Sequence, residues 1–189
     1  MKIINKKGFS ILEIVVSVSL FVFLILLVNS MFVMSQNSYN TGSDQGELAQ
    51  NARVSVDRLS REIRQSEEIV TLMPATDAEM GFPPVHEIFF QDGHDISHTT
   101  YIRYYLSGTD LMRANIAYYF SGDPSTYVRW DSLDASAQPA TALVLEDRVI
   151  GEFFSRLEFW GDNNLINISC GLAKDASVLD VDTRVFSRN

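Results

Sequence analysis

Between Phe9 and Val28 the chain runs for twenty residues with a single charge, Glu13, and with serine only at positions 10, 17 and 19. As a helix rising about 1.5 Å per residue, such a run spans about 30 Å, the hydrocarbon thickness of a bilayer. The apolar pattern continues through Met31, Phe32, Val33 and Met34, so the helix is expected to extend past the membrane. Lys2, Lys6 and Lys7 precede the run, and no Lys or Arg follows before Arg53. The positive-inside rule then predicts a cytoplasmic N-terminus and a single pass through the cytoplasmic membrane, with the bulk of the chain outside.

What lies beyond the run is polar and acidic. The formal charge of the whole chain is −9, and without Met1–Gly8 it is −12, from 12 basic residues (15 − 3) against 24 acidic ones. Phosphate binding relies on clustered Lys and Arg, so this balance speaks against nucleic acid as a direct partner. The only cysteine, Cys170, excludes an intramolecular disulfide and a multi-cysteine metal site. It falls on the apolar side of the alternating segment Ile166–Leu172, where a free cysteine packs as a small hydrophobe.

Three explanations compete for the apolar segment. A cleaved secretory signal is opposed by the length of the run, by the carboxylate inside it and by the lack of an Ala-x-Ala site, although Val28-Asn29-Ser30 offers one place to cut. A plain anchor leaves Glu13 unexplained, since a charged side chain costs about 2.5–3.5 kcal/mol at a helix centre in lipid and less toward its end. The third explanation gives Glu13 a partner. The string Lys6-Lys7-Gly8-Phe9-Ser10-Ile11-Leu12-Glu13 resembles the prepilin peptidase site of type IV pilins and type II secretion pseudopilins. The resemblance implies cleavage after Gly8, N-methylation of Phe9, and a leader made basic by Lys6 and Lys7. It also implies that Glu13, the fifth residue after the cut, pairs with the N-terminal amine of a neighbouring subunit in a filament. An ammonium and a carboxylate buried in an apolar bundle each need the other. Ser10 stands where threonine is commoner in the family.

From Tyr39 to Gly46 the chain turns polar and holds Gly42 and Gly46, which suggests a flexible joint in the helix or a short loop between anchor and head. Leu48, Ala52, Val56, Leu59, Ile63, Ser66 and Val70 then mark one helical face. Asp57 with Arg61, Arg58 with Glu62, and Arg64 with Glu68 form four-spaced pairs on the opposite face, and Pro74 is expected to end the helix. Strands are expected at Glu87–Gln91, Thr99–Leu106, Leu111–Ala114, Ile116–Phe120, Thr126–Trp130, Phe153–Trp160, Leu165–Leu172 and Thr183–Ser187. Ser107–Asp110 and Gly161–Asn164 read as turns, and Asp131–Ala142 as a surface loop. This is an α+β chain: a long N-terminal helix, transmembrane in its first half and amphipathic in its second, packed on an antiparallel β-sheet head. The expected divisions are a leader (1–8), a membrane or filament-core helix (9–36), a joint and amphipathic outer helix (37–72) and a head (73–189).

The string Gln50-Asn51-Ala52-Arg53, Asp57-Arg58-Leu59 and Arg61–Gln65, with Arg188-Asn189, is similar to J-type minor pseudopilins and W-type minor pilins. That likeness implies a pilin-like fold and a non-catalytic subunit that primes or caps a pilus or pseudopilus. Its partners would be the prepilin peptidase, other minor and major pilins or pseudopilins, and the inner-membrane assembly platform, with no cofactor. The alternative is a single-pass anchored extracytoplasmic binding protein that does not polymerise. His94 and His98, with Asp92 and Asp95, read as a solvated loop, since Gly93 opposes the helix that a four-residue ligand spacing needs. Asp162-Asn163-Asn164 and Asp175, Asp180 and Asp182 match no calcium-loop spacing. Tyr101, Tyr104, Tyr105, Tyr118 and Tyr119 read as strand packing.

Overall fold

The computed structural model describes residues 10–94, 98–162 and 164–188. One helix, α1 (Ile11–Gln65), runs 55 residues without a break. The glycines expected to open a joint lie inside it. Each costs about 1 kcal/mol relative to alanine, and the good helix formers that follow Gly46, from Glu47 to Gln50, carry the helix on. The chain divides into two compact units, residues 1–43 and 44–189.

The helix ends nine residues before Pro74. The Ser66 hydroxyl donates to the Ile63 carbonyl at 2.7 Å, and the Glu67 amide donates to the Gln91 carbonyl at 3.1 Å, so the backbone already belongs to a sheet. Gly93 permits that junction, because a Cβ there would lie 2.0 Å from the Gln65 carbonyl oxygen. Val70, expected on the helical stripe, instead hydrogen-bonds Phe89 after strand β1 (Glu68–Ile69).

The first sheet is antiparallel and contains β1, β2 (Ile88–Gln91), β3 (Thr100–Ser107), β4 (Asp110–Phe120) and β5 (Asp123–Val128) in that order, with β6 (Thr141–Gly151) paired to β4. The second contains β7 (Phe154–Asp162), β8 (Leu165–Lys174) and β9 (Ser177–Phe186), also antiparallel. Gly108, at φ +63°, makes the two-residue turn between β3 and β4. Four sequence expectations are corrected. Leu111–Ala114 and Ile116–Phe120 are one strand, β4, because Asn115 pairs like its neighbours. The strand expected at Thr126–Trp130 is β5, ending at Val128. The last strand starts at Ser177, not Thr183. The eleven-residue β6 occupies a stretch in which no strand was expected.

Leu48, Ala52, Val56, Leu59 and Ile63 of α1 are buried as the stripe predicts, in one core with residues from both sheets. Ile88, Phe90, Ile102, Tyr104 and Leu111 come from the first sheet; Phe154, Leu157, Phe159, Ile166, Ile168, Cys170, Leu172 and Val185 come from the second. Burying a large apolar side chain stabilises a fold by about 1.5–3 kcal/mol, and this shared core holds helix to sheets. At Gly151 strand and helix come so close that an added Cβ would lie 2.3 Å from Ser55 Oγ. Ser55 uses the approach, donating to the Ile150 carbonyl at 3.1 Å. On the far side of the first sheet, Tyr101 stacks on Phe89 at 5.2 Å and meets Tyr118 edge-on at 5.5 Å, and its hydroxyl accepts from the Trp130 amide.

Candidate functional site

Lys6, Lys7, Gly8 and Phe9 lie outside the described residues, and of the processing and assembly positions only Glu13 is described. Ser10 caps α1: its hydroxyl oxygen accepts from the Leu12 amide at 3.3 Å, and its carbonyl accepts from the Glu13 amide at 3.0 Å. Glu13 therefore sits in the first turn, where unpaired amides and the helix dipole favour an anion. Its side chain makes no hydrogen bond or ion pair among the described residues. Every residue from Ser10 to Ser43 is exposed, and Glu13 is the one carboxylate in the apolar part of that stretch, which runs to Met34. Ser19 is satisfied within it, donating to the Val15 carbonyl at 2.8 Å. By length and composition α1 is able to cross a membrane.

A second polar constellation was missed. Glu62 was expected on the outer face with Arg58, and that ion pair does form at 3.1 Å. Glu62 is nevertheless buried. Its carboxylate accepts from Arg113 on β4 at 2.9 Å and from the Tyr104 hydroxyl on β3 at 2.8 Å. Arg113 also reaches Glu146 on β6 at 3.3 Å. Burial raises the Glu62 pKa, but hydrogen bonds from Arg113, Tyr104 and Arg58 outweigh it and hold the carboxyl below its ordinary value. Burial and the adjacent carboxylate push the Tyr104 hydroxyl up, so it stays a donor. A carboxylate bonded by three donors is saturated; what this cluster does is pin α1 to three strands. The signal available in the sequence was Arg113 itself, in line with Leu111, Asn115 and Ala117 on alternate positions. The other expected pairs do not form, and Glu68 instead meets Arg129 at 3.0 Å.

The remaining candidates are dispersed. His94 Nδ1 lies 2.9 Å from Asp92, while the His98 ring meets Tyr127 edge-on; Asp95 and Asn163 lie outside the described residues. Cys170 is buried as expected, and burial pushes its thiol up to about 12. The outer face of the second sheet carries an open groove of about 780 Å³ lined by Arg156, Glu158, Trp160, Asn167, Asp182 and Arg184, among others. Arg156 is tied there to Asp180 at 2.8 Å.

The fold and site define an α+β protein with one N-terminal helix of membrane-spanning length and apolarity, and antiparallel sheets. No protein-family model, curated protein or solved structure matches the chain significantly.

Proposed function

We propose that the chain is a minor pilin or pseudopilin, a non-catalytic subunit that primes or caps a type IV pilus or type II secretion pseudopilus. The observation that carries this reading is Glu13: a lone carboxylate in the first turn of an exposed apolar helix, five residues after Gly8. An apolar helix without partners needs lipid or other helices around it, and a carboxylate within it needs a cation. Cleavage after Gly8 creates that cation as the Phe9 amine, which Glu13 of the adjacent subunit neutralises in the bundle. Before assembly the helix waits in the cytoplasmic membrane with its N-terminus inside and its head outside, and the assembly platform then draws it into the filament. Likeness of the helix from Gln50 to Gln65 to J-type and W-type subunits favours a minor role near the tip.

The test is intact mass and N-terminal sequencing of the chain expressed with and without a prepilin peptidase. Loss of Met1–Gly8 and a methylated Phe9, only when the peptidase is present, is the expected result. An intact N-terminus would leave a plain anchored binding protein, and a cut near Ser30 a secreted domain; either result overturns the proposal.

A further inference from the structure

Strand β6 is the edge of the first sheet beyond β4, and Thr141 to Val149 are exposed on both of its faces. Leu143, Val144, Leu145 and Val149 are 39%, 57%, 44% and 47% exposed. An edge strand offers a row of backbone donors and acceptors to any strand laid beside it, and proteins that must stay apart guard such edges with charges and bulges. β6 has both features. Its pairing with β4 skips Leu145 and Ile150, which leaves Glu146–Val149 as a regular run between two bulges.

The charges in that run are self-complementary. In an antiparallel pair of two β6 strands related by a two-fold axis at Asp147, Glu146 lies opposite Arg148 of the other copy, twice, and Leu145 lies opposite Val149. Within one copy Arg148 already reaches Glu146 at 3.0 Å, so the pair builds a square of alternating charges. Neighbouring registers lose this match: an axis at Glu146 sets glutamate against glutamate, and one at Arg148 sets arginine against arginine. Opposite charges directly across a ladder stabilise it and like charges oppose it. The only repulsive pair is Asp147 with itself. Each Asp147 carboxylate accepts from its own Tyr105 hydroxyl at 2.9 Å, with the Arg103 guanidinium over that tyrosine ring. We infer that the free edge of β6 is an interface for a second copy of this chain, joined antiparallel about Asp147. The inference goes beyond the filament reading and does not depend on leader cleavage.

Disulfide trapping tests it, because the one native cysteine is buried. The full chain is expressed in membranes of cells lacking a prepilin peptidase and oxidised with copper–phenanthroline. Cβ atoms directly opposite across an antiparallel pair lie about 4.5–5.5 Å apart, near disulfide reach. Asp147→Cys is expected to give a covalent dimer of the chain's own mass. Val178→Cys, 67% exposed on the free edge of β9, is expected to give none. Copies carrying Leu145→Cys and Val149→Cys, which keep Asp147, are expected to cross-link when co-expressed. In the Asp147→Cys background, Arg148→Glu, which sets glutamate against glutamate across the pair, should reduce the dimer to the Val178→Cys level. The inference is overturned if Val178→Cys cross-links equally, if the mixed pair stays monomeric, if Arg148→Glu leaves the dimer undiminished, or if the trapped product contains a different chain.

Discussion

Arg113 and Glu62 meet at 2.9 Å with side chains only 8% and 10% exposed, joining β4 to α1 across 51 residues of sequence. Removing one partner of a buried pair leaves the other desolvated and uncompensated, which costs about 3–5 kcal/mol. Glu62→Ala is therefore expected to destabilise the head by about that amount. Replacing both residues by methionine should cost less than replacing Glu62 alone. Thermal unfolding of the full chain in detergent, followed by near-ultraviolet circular dichroism, measures both.

The same carboxylate sets a pH dependence. Donors from Arg113, Tyr104 and Arg58 hold the folded-state pKa of Glu62 below its ordinary value of 4.5. A depressed carboxyl pKa stabilises the fold fully above the unfolded value, and that contribution is lost as pH falls through the folded one. The stability advantage of the wild type over Glu62→Gln should thus be constant near neutrality and shrink below pH 4.5. An advantage that held or grew on acidification would show that the ionised carboxylate is not what stabilises the junction.

Glu62 also marks where sequence reasoning stops. The stripe from Leu48 to Ser66 was legible because helical periodicity is local, and all six residues are buried. Glu62 looked like a surface residue because its four-spaced partner Arg58 is local too; Arg113 and Tyr104 lie 51 and 42 residues away. Strand β6 was hidden for another reason. The extra residues Leu145 and Ile150 break the two-residue period, and Glu146-Asp147-Arg148 interrupts the apolar pattern. Glu13 stands out in the sequence because a charge in a membrane-length apolar run has no charged neighbours to disguise it.

Gly151 tests how tightly helix and strand approach. A methyl group there meets Ser55 Oγ at 2.3 Å and the Phe154 ring at 2.7 Å. Overpacking of this kind costs about 1–3 kcal/mol, so Gly151→Ala should lower the unfolding temperature markedly. Ser55→Ala removes the nearer obstacle but leaves the phenylalanine ring. The double variant should recover part of the loss, and unfolding of the four proteins in a double-mutant cycle measures the coupling.

Cys170 should be inert in the native chain. It is fully buried, and its thiol is pushed up to about 12, so the reactive thiolate is scarce at neutral pH. Maleimide labelling followed by mass spectrometry should find no adduct on the folded protein and one adduct after denaturation. Labelling of the folded chain at the denatured rate would mean that β8 opens readily.

Glu13 separates the anchor from the filament subunit. As an anchor, the helix gains from losing the charge, because a carboxylate in lipid costs about 2.5–3.5 kcal/mol at a helix centre, less toward its end, and nothing among the described residues repays it. Glu13→Ala should therefore leave membrane insertion, leader cleavage and the folding of residues 44–189 at wild-type levels. As a filament subunit, the same variant leaves the Phe9 amine of its neighbour buried and unpaired, a loss of about 3–5 kcal/mol, or more than about 100-fold in association. Recruitment of partner subunits, scored by co-purification from membranes in a strain with a working assembly machine, should collapse in Glu13→Ala and survive in Glu13→Asp better than in Glu13→Gln. Equal recruitment by all three variants would remove the reason for a carboxylate at this position and leave the helix a simple anchor.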